Sequence, residues 1–436
     1  MGQHLSFLSS LIQRIGMNRT KKELAGAESL IALCHQLLSN NSDAMLFSLA
    51  KTILDDFVSL SEDQKNTFFL LFLNQFSANK SELIESLKTL NVDNEEQVRL
   101  LHKLAEPKTH DVLRKLNQAP NGTSVLLNMR VALIDAVKKD PSLRPLDDDF
   151  LYLFSSWFNR GFLRLERIDW STSAEVLEKI MKYEAVHDIS DWDDLHNRVA
   201  APDKRLYAFF HPALPSEPLI FIEVVLANEI PSSIMSILQK DEVLTDPLGA
   251  KTAAFYSISN CQIGLKNVSF GSFLIKQVVA ELEQEFKNIE QFVTLSPVPG
   301  LKKWAQDVLH LDKKPPESIV KDIKGCLEGD THEEISLIRL ALYYITQEKR
   351  KSGHAFNQVA HFHLSNGASL HQVHVGANTN KKALEDSWGV MVNYLYDPQT
   401  VAQNHENYAN LEPIAMSGNL MKIIQSNKRK ILAYSS

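Results

Sequence analysis

Cysteine is scarce: Cys34, Cys261 and Cys326 are the only three in 436 residues, and they lie far apart. An odd, dispersed set excludes a CxxC zinc knuckle and argues against a disulfide framework, so a reducing compartment is expected, the cytoplasm first. Long apolar runs are missing too. The longest, around Phe68 to Leu73, falls far short of the roughly 20 residues that cross a bilayer, so no membrane partner is expected. Blocks of one charge are absent as well: 46 basic and 53 acidic residues intermix to a net charge of −7. With a pI near 6.1, electrostatics gives no reason to expect nucleic acid as a partner. Acidic residues are missing from "MGQHLSFLSSLIQRIGMNRTKK", which carries Arg14, Arg19, Lys21 and Lys22. The stretch superficially suits a transit peptide, which would place the protein in the mitochondrial matrix, and its start matches the myristoylation pattern. Both patterns are common by chance, and a first amphipathic helix docked on its neighbours is the expectation.

A chain of this length exceeds what one core usually organises, and its 44% hydrophobic content suffices for two domains. From Lys21 to about Phe158 apolar residues recur at helical spacing, as in "ELAGAESLIALCHQLL", "AMLFSLAKTILDDFVSL" and "SVLLNMRVALIDAVKK", separated by short polar segments with Ser and Asp placed as caps. An α-helical bundle over residues 1–158 follows. Beyond it, "RLYAFFH", "PLIFIEVVLA", "TAAFYSIS" and "QFVTLS" are β-branched and aromatic runs bounded by Pro, Gly and Asn, hence strands. Helical patterns in "FGSFLIKQVVAELEQEF" and "EEISLIRLALYYITQEK" make residues 159–436 a mixed α/β domain.

Four histidines crowd "HFHLSNGASLHQVHV", residues 361–375. Asn366-Gly367 between alternating runs signals a two-residue hairpin, because a type I′ turn needs positive φ at both central positions. Counting outward by twos puts His361, His363 and His374 on one face and His371 on the other. Without an Asp, Glu or Cys in the stretch, a metal site is not expected and no cofactor is required. His363 is a candidate acid/base, against the commoner role of a satisfied structural histidine.

In "TLSPVPG", Pro297 and Pro299 fix φ on either side of a sharp turn, with a helix expected from about Lys302. Ser296 is then a plain turn residue or a rigidly held hydrogen-bond partner. It is not a hydrolase nucleophile, since G-x-S-x-G is absent and Pro297 lacks the N–H that would bind an oxyanion. The stretch "QIGLKNVSFGSFLIKQVV" runs from a strand end into an amphipathic helix whose stripe includes Phe270, Leu274, Val278 and Leu282. A helix N-terminus with Lys266 nearby suits a pyrophosphate, although any strand-to-helix turn shares those features, and neither a Walker loop nor GxGxxG is present.

Taken in order, "WFNRGFLRLERIDW", "YEAVHDISDW", "FFHPALPSEPLIFIEVVL", "AAFYSISNCQIGLKNVSFGSFLIKQVV", "LSPVPG", "HFHLSNGA" and "SWGVMVNYLYD" resemble the malonyl-CoA decarboxylase family over most of the chain beyond about Gln118. The earlier helices are similar only in character. The resemblance implies a helical oligomerisation domain followed by a catalytic domain related to the GNAT acyltransferase fold, assembled as a homotetramer and acting on malonyl-CoA without a cofactor. It implies that Ser296, in S-P-x-P-G, and His363, in F-H-L-x-N-G, are catalytic. Substrate binding would fall to the loop Lys266, Asn267, Val268, Ser269, Phe270, Gly271 and Ser272, and to Tyr396 in N-Y-x-Y. Ser269 stands where animal members carry Glu, so no acid role transfers there. The GNAT pyrophosphate pattern is not cleanly matched, and "ILAYSS" lacks the terminal S-K-L of a peroxisomal address.

Loss of carbon dioxide from a malonyl thioester leaves an electron pair that the thioester carbonyl accepts as an enolate. The protein must then orient the carboxylate, exclude water, stabilise the oxyanion and protonate carbon. A serine that meets the carboxylate or the thioester oxygen, and a histidine of near-neutral pKa that protonates the enolate, satisfy those needs. Two other functions fit the same features: a CoA-dependent acyltransferase, and a non-catalytic malonyl-CoA-binding assembly protein.

Overall fold

The computed structural model describes residues 21–40, 42–239, 245–268, 273–311, 314–329 and 334–433. The first-helix expectation for residues 1–20, and the substrate-loop residues Ser269, Phe270, Gly271 and Ser272, fall outside the described residues. By packing, the chain divides into two units. One runs to Phe162 and takes in Pro212–Leu214 and the segment that starts at Gln262; the other holds the remainder.

The first unit is helical: α1 (Lys21–Ser39), α2 (Asp43–Ser59), α3 (Glu62–Phe76), α4 (Lys80–Lys88), α5 (Glu95–Ala105), α6 (Lys108–Asn117), α7 (Gly122–Lys139) and α8 (Arg144–Trp157). Polar residues start these helices as the sequence suggests. Ser61 and Gln64 form a reciprocal capping box on α3, and Asn94 caps α5 through the N–H groups of Glu96 and Gln97, each satisfying donors that the first turn leaves orphaned. The core is aromatic, with Phe57, Phe68, Phe69, Phe72 and Phe76 all buried. Their edge-on and tilted contacts, such as Phe57 against Phe68 at 5.4 Å, are the favoured ring geometries.

The second unit is built on an eight-stranded mixed sheet of order β1-β2-β3-β4-β5-β8-β6, with β7 paired to β8. Its strands are β1 (Arg164–Ile168), β2 (Lys204–Phe210), β3 (Ile220–Ala227), β4 (Thr252–Asn260), β5 (Gln291–Thr294), β6 (Ser296–Pro297), β7 (Ser369–His374) and β8 (Met391–Tyr396). Every residue of β2 and β3 is buried, which explains why they read as continuous apolar runs rather than alternating ones. Helices α9 (Ala174–Tyr183) and α10 (Trp192–Ala200) supply Val176, Leu177, Ile180, Leu195 and Val199 to a core with Leu206, Ala208, Phe210 and Phe221.

Two features of this sheet shape the site. Glu223 pairs with Ser257 but Val224 pairs with Phe255, so Tyr256 is an extra, bulged residue in β4. Strands β4 and β5 are parallel, and their pairing ends at Phe255 and Thr294. Beyond that point the ladder with β4 stops, while β8, already paired with β5 at Phe292 and Val293, goes on to pair with Ser296-Pro297. A proline cannot donate to a ladder, so the S-P step suits the end of the β4 pairing.

The expected hairpin at Asn366-Gly367 does not form. Residues Gln358–Ser365 are a helix, and the chain enters β7 only at Ser369. Asn357 starts the helix by accepting from the Ala360 N–H. Asn366 has φ −93 rather than the positive value of a type I′ turn. Gly367 alone is left-handed, at φ +87. Its N–H donates to Leu364 O, and that of Ala368 donates to His363 O. The Asn-Gly pair therefore ends a helix, where a left-handed glycine serves equally well. His361 and His363 sit on that helix and His371 and His374 on a strand, which replaces the two-faced strand arrangement.

Candidate active site

Three of the residues singled out from the sequence meet inside the second unit. The Ser296 Oγ lies 3.0 Å from His363 Nε2, and the Tyr396 Oη lies 2.9 Å from His363 Nδ1. Ser296, His363 and Tyr396 are 6%, 3% and 7% exposed, so the triplet is removed from bulk water. Tyr396, which the resemblance implies as a substrate-binding residue, contacts the second nitrogen of the imidazole through its hydroxyl. The ring of Tyr394 stacks on that of His363 at 4.6 Å and 26°, holding the imidazole plane.

Helix α11 (Leu301–Val308) begins one residue from its expected start and follows the Ser296 turn. Gly300 makes that turn at φ +76, and its N–H donates to Asp386 Oδ1 at 2.9 Å. The Pro299 carbonyl accepts from the Asn357 Nδ2 at 2.9 Å and from the Tyr344 Oη at 3.3 Å. Asn357 is also the cap of the helix that carries His363. One buried side chain thus joins the serine turn to the histidine helix.

Sequence reasoning missed Asn357 and also Thr294. The Ser296 Oγ donates to the Thr294 Oγ1 at 2.9 Å, which also accepts from the Tyr394 N–H at 3.2 Å. Spacing by two along an extended chain puts Thr294 and Ser296 on one side, so T-L-S did contain the signal. The Asn393 Nδ2 donates to Thr294 O at 2.9 Å, and its Oδ1 pairs closely with His374 Nε2.

Burial pulls the His363 pKa down from 6.5 to about 3. The expected near-neutral value is therefore overturned for the free protein: desolvation disfavours the imidazolium where no carboxylate compensates it. Burial likewise raises the Tyr396 phenol well above its ordinary value, with Tyr394 adding to the effect. Among the described residues no three or more His, Cys, Asp or Glu side chains converge as a metal site would need.

The described part of the expected substrate loop packs with the helical unit. Lys266 and Asn267 are exposed and Val268 is buried, with Asn267 left-handed at φ +67. Arg130 of α7 fastens the loop: its Nη1 donates to Gly264 O at 2.6 Å and to Lys266 O at 2.9 Å, while its Nε donates to Asp147 Oδ1 at 2.8 Å. Gly264 lies so close to α7 that a Cβ there would meet Leu127 O at 2.5 Å. His187 is buried with its Nε2 3.1 Å from Tyr256 O.

Comparison with known proteins matches residues 76–158 to the malonyl-CoA decarboxylase N-terminal domain and residues 161–433 to the malonyl-CoA decarboxylase C-terminal domain. The mitochondrial malonyl-CoA decarboxylase of Anser anser anser is 34% identical over 352 residues, 73% of this chain and 69% of that protein. Among solved structures, malonyl-CoA decarboxylase from Rhodopseudomonas palustris superposes with a TM-score of 0.85 at 40% identity, covering 91% of this chain and 99% of that one. The Agrobacterium vitis enzyme gives 0.83 at 38%, with the same coverage. Among the described residues no helix is long and apolar enough to cross a membrane.

Proposed function

Because the chain belongs to the malonyl-CoA decarboxylase family, its reaction is the conversion of malonyl-CoA to acetyl-CoA and carbon dioxide, and we propose that Ser296 and His363 carry it with Tyr396 as their support. The observation that carries this reading is the 3.0 Å contact between Ser296 Oγ and His363 Nε2, two groups 67 residues apart in sequence.

The free imidazole is neutral, so the proton destined for carbon is taken up from solvent when the substrate binds. A malonyl carboxylate entering a desolvated site favours an imidazolium beside it, because an opposite charge at short range stabilises the charged form. Both N–H groups then have acceptors, Ser296 Oγ and Tyr396 Oη. The bond between the α-carbon and the carboxylate breaks, its electron pair becomes the thioester enolate, and carbon dioxide departs. The imidazolium gives its Nε2 proton to the α-carbon, and the ring returns to neutral. Ser296 meets the carboxylate or the thioester oxygen and fixes its orientation.

Lys266, Asn267 and Val268, with Ser269, Phe270, Gly271 and Ser272, form the CoA-binding loop in this reading. The exposed ammonium of Lys266 suits phosphate. The parting of β4 and β5 after Phe255 and Thr294 supports kinship with the GNAT acyltransferase fold. The helical unit assembles a homo-oligomer, a tetramer on the family resemblance. In its support, Ile84 and Leu87 of α4, Val92, and Val98 and Leu100 of α5 are exposed apolar residues. The three buried free thiols suit a reducing compartment, the cytoplasm or the mitochondrial matrix, and the Anser relative carries the name mitochondrial.

The test is product analysis of purified protein mixed with malonyl-CoA alone, with a chelator and no acyl acceptor. Equimolar acetyl-CoA and carbon dioxide are expected. Binding without turnover, or turnover only with an amine acceptor, overturns the proposal.

A further inference from the structure

We propose that Thr294 is a positioning residue for decarboxylation: its hydroxyl oxygen takes the Ser296 proton, leaves a Ser296 lone pair for His363, and so fixes the free imidazole as the Nε2–H tautomer. The inference rests on the Ser296–His363 reading and adds to it a residue and a direction of hydrogen bonding.

A serine hydroxyl has one proton, and a neutral imidazole has one N–H. The Ser296 proton goes to Thr294 Oγ1 at 2.9 Å, so the 3.0 Å contact with Nε2 takes its proton from the ring. Nδ1 is then bare, and the Tyr396 O–H donates to it across 2.9 Å. The chain runs one way, from Tyr396 through His363 and Ser296 to Thr294. It ends at Thr294 Oγ1. The residue is 0% exposed, its main chain is clamped by the Asn393 amide, and its two acceptor sites are filled by the Tyr394 N–H and the Ser296 O–H.

The opposite direction is the hydrolase arrangement, in which serine donates to Nε2 and the other ring nitrogen carries the proton. It would make Ser296 a nucleophile, which a decarboxylation through an enolate does not use. By occupying the Ser296 proton in the free protein, Thr294 suppresses that arrangement and keeps a proton on the nitrogen that faces Ser296; when substrate binds, the Ser296 O–H turns from Thr294 to the substrate oxygen. The proton taken up with the substrate then enters at Nδ1, where Tyr396 rotates to accept from it, and Nε2–H is the acid ready for carbon.

Magic-angle-spinning NMR of protein labelled with 15N-histidine, with the His363 signals assigned by their loss in His363→Gln, reads the tautomer directly. The wild type is expected to carry its proton on Nε2, Thr294→Val on Nδ1, and Thr294→Ser on Nε2 again. With malonyl-CoA, Thr294→Val is expected to lose about 10²-fold or more in kcat while KM stays within about threefold, since Ser296 without the Thr294 acceptor no longer holds its hydroxyl in the productive orientation against the imidazolium Nε2–H and the substrate oxygen. Thr294→Ser should restore kcat to within about threefold of wild type on the same reasoning. An Nδ1–H signal in the wild type overturns the proposal without any substitution, so misfolding of Thr294→Val does not protect it. An unchanged tautomer in folded Thr294→Val, or equal kcat loss in the serine variant, also overturns it. The NMR measurement uses the free protein. Failure to decarboxylate malonyl-CoA would defeat the functional reading and leave the tautomer assignment standing on its own result.

Discussion

At the scale of single residues, function and stability are coupled through one buried imidazole. His363→Ala and Ser296→Ala should each lower kcat by about two to four orders of magnitude, the usual loss for a proton donor or an oxyanion partner, while calorimetry still detects acetyl-CoA binding. Loss of binding together with activity would point to a collapsed site instead. The depressed pKa has a sign that can be worked out. The folded protein keeps His363 neutral down to about pH 3, whereas an unfolded histidine takes up a proton near 6.5. Between those limits the unfolded state binds more protons, so stability is present above pH 6.5 and is lost as the pH falls toward 3. The loss is about 1.4 kcal/mol per pH unit at most, and His187, drawn down to about 4 by burial, adds to it. Urea unfolding of wild type and His363→Gln at pH 7.5 and pH 5 measures the effect. The variant should show the smaller drop, and equal drops would refute the assignment.

At the scale of elements, the same residues show what the sequence made legible and what it hid. Runs such as "IFIEVVLA" announce β3 because eight buried residues in succession leave little else for a short apolar segment to be. Ser296 was legible through its prolines, which constrain the turn whatever surrounds it. The helix carrying His363 was not legible. Its eight residues offer barely two turns of periodicity, and an Asn-Gly pair fits a hairpin or a helix end equally well by local preference. Contacts distant in sequence decide between them: Asn357 holds Pro299 O, and a Cβ on Gly367 would come within 2.0 Å of Val401 O. Gly367→Ala should therefore cost more than the roughly 1–3 kcal/mol of left-handed strain alone and should lower kcat by displacing His363. Thermal unfolding and turnover together check it, and a stable, active variant would contradict this packing. Arg130 is a comparable long-range device, holding the Gly264 and Lys266 carbonyls. Arg130→Met should raise KM for malonyl-CoA about tenfold, near 1.4 kcal/mol, and should leave KM for malonyl-pantetheine, which lacks the nucleotide, unchanged. Equal effects on both substrates would remove the loop from CoA recognition.

At the scale of the whole molecule, the proposed division of labour between the two units rests on where apolar surface is left over. The sheet unit buries its apolar strands within itself. In the helical unit, every residue of α4 and α5 remains at least partly exposed, although α5 has the alternation of an amphipathic helix with Val98, Leu101 and Leu104 on its apolar side. Helices this short are marginal unless an apolar face is covered, so the pair with exposed Ile84, Leu87, Val98 and Leu100 is the surface on which the proposed assembly would form. That surface was visible in the sequence only as an ordinary amphipathic pattern, because periodicity reports that a face is apolar and not what packs on it. Leu87→Glu combined with Leu100→Glu places charge on this face without touching either helix cap, Asn79 or Asn94. Sedimentation velocity should show the double variant as a smaller species than wild type. Its kcat should remain within about threefold, since the substitutions remove none of the groups that supply acid or oxyanion stabilisation. An unchanged sedimentation coefficient would move the assembly surface elsewhere on the molecule, and loss of activity in a folded, dissociated protein would show that assembly itself completes the site.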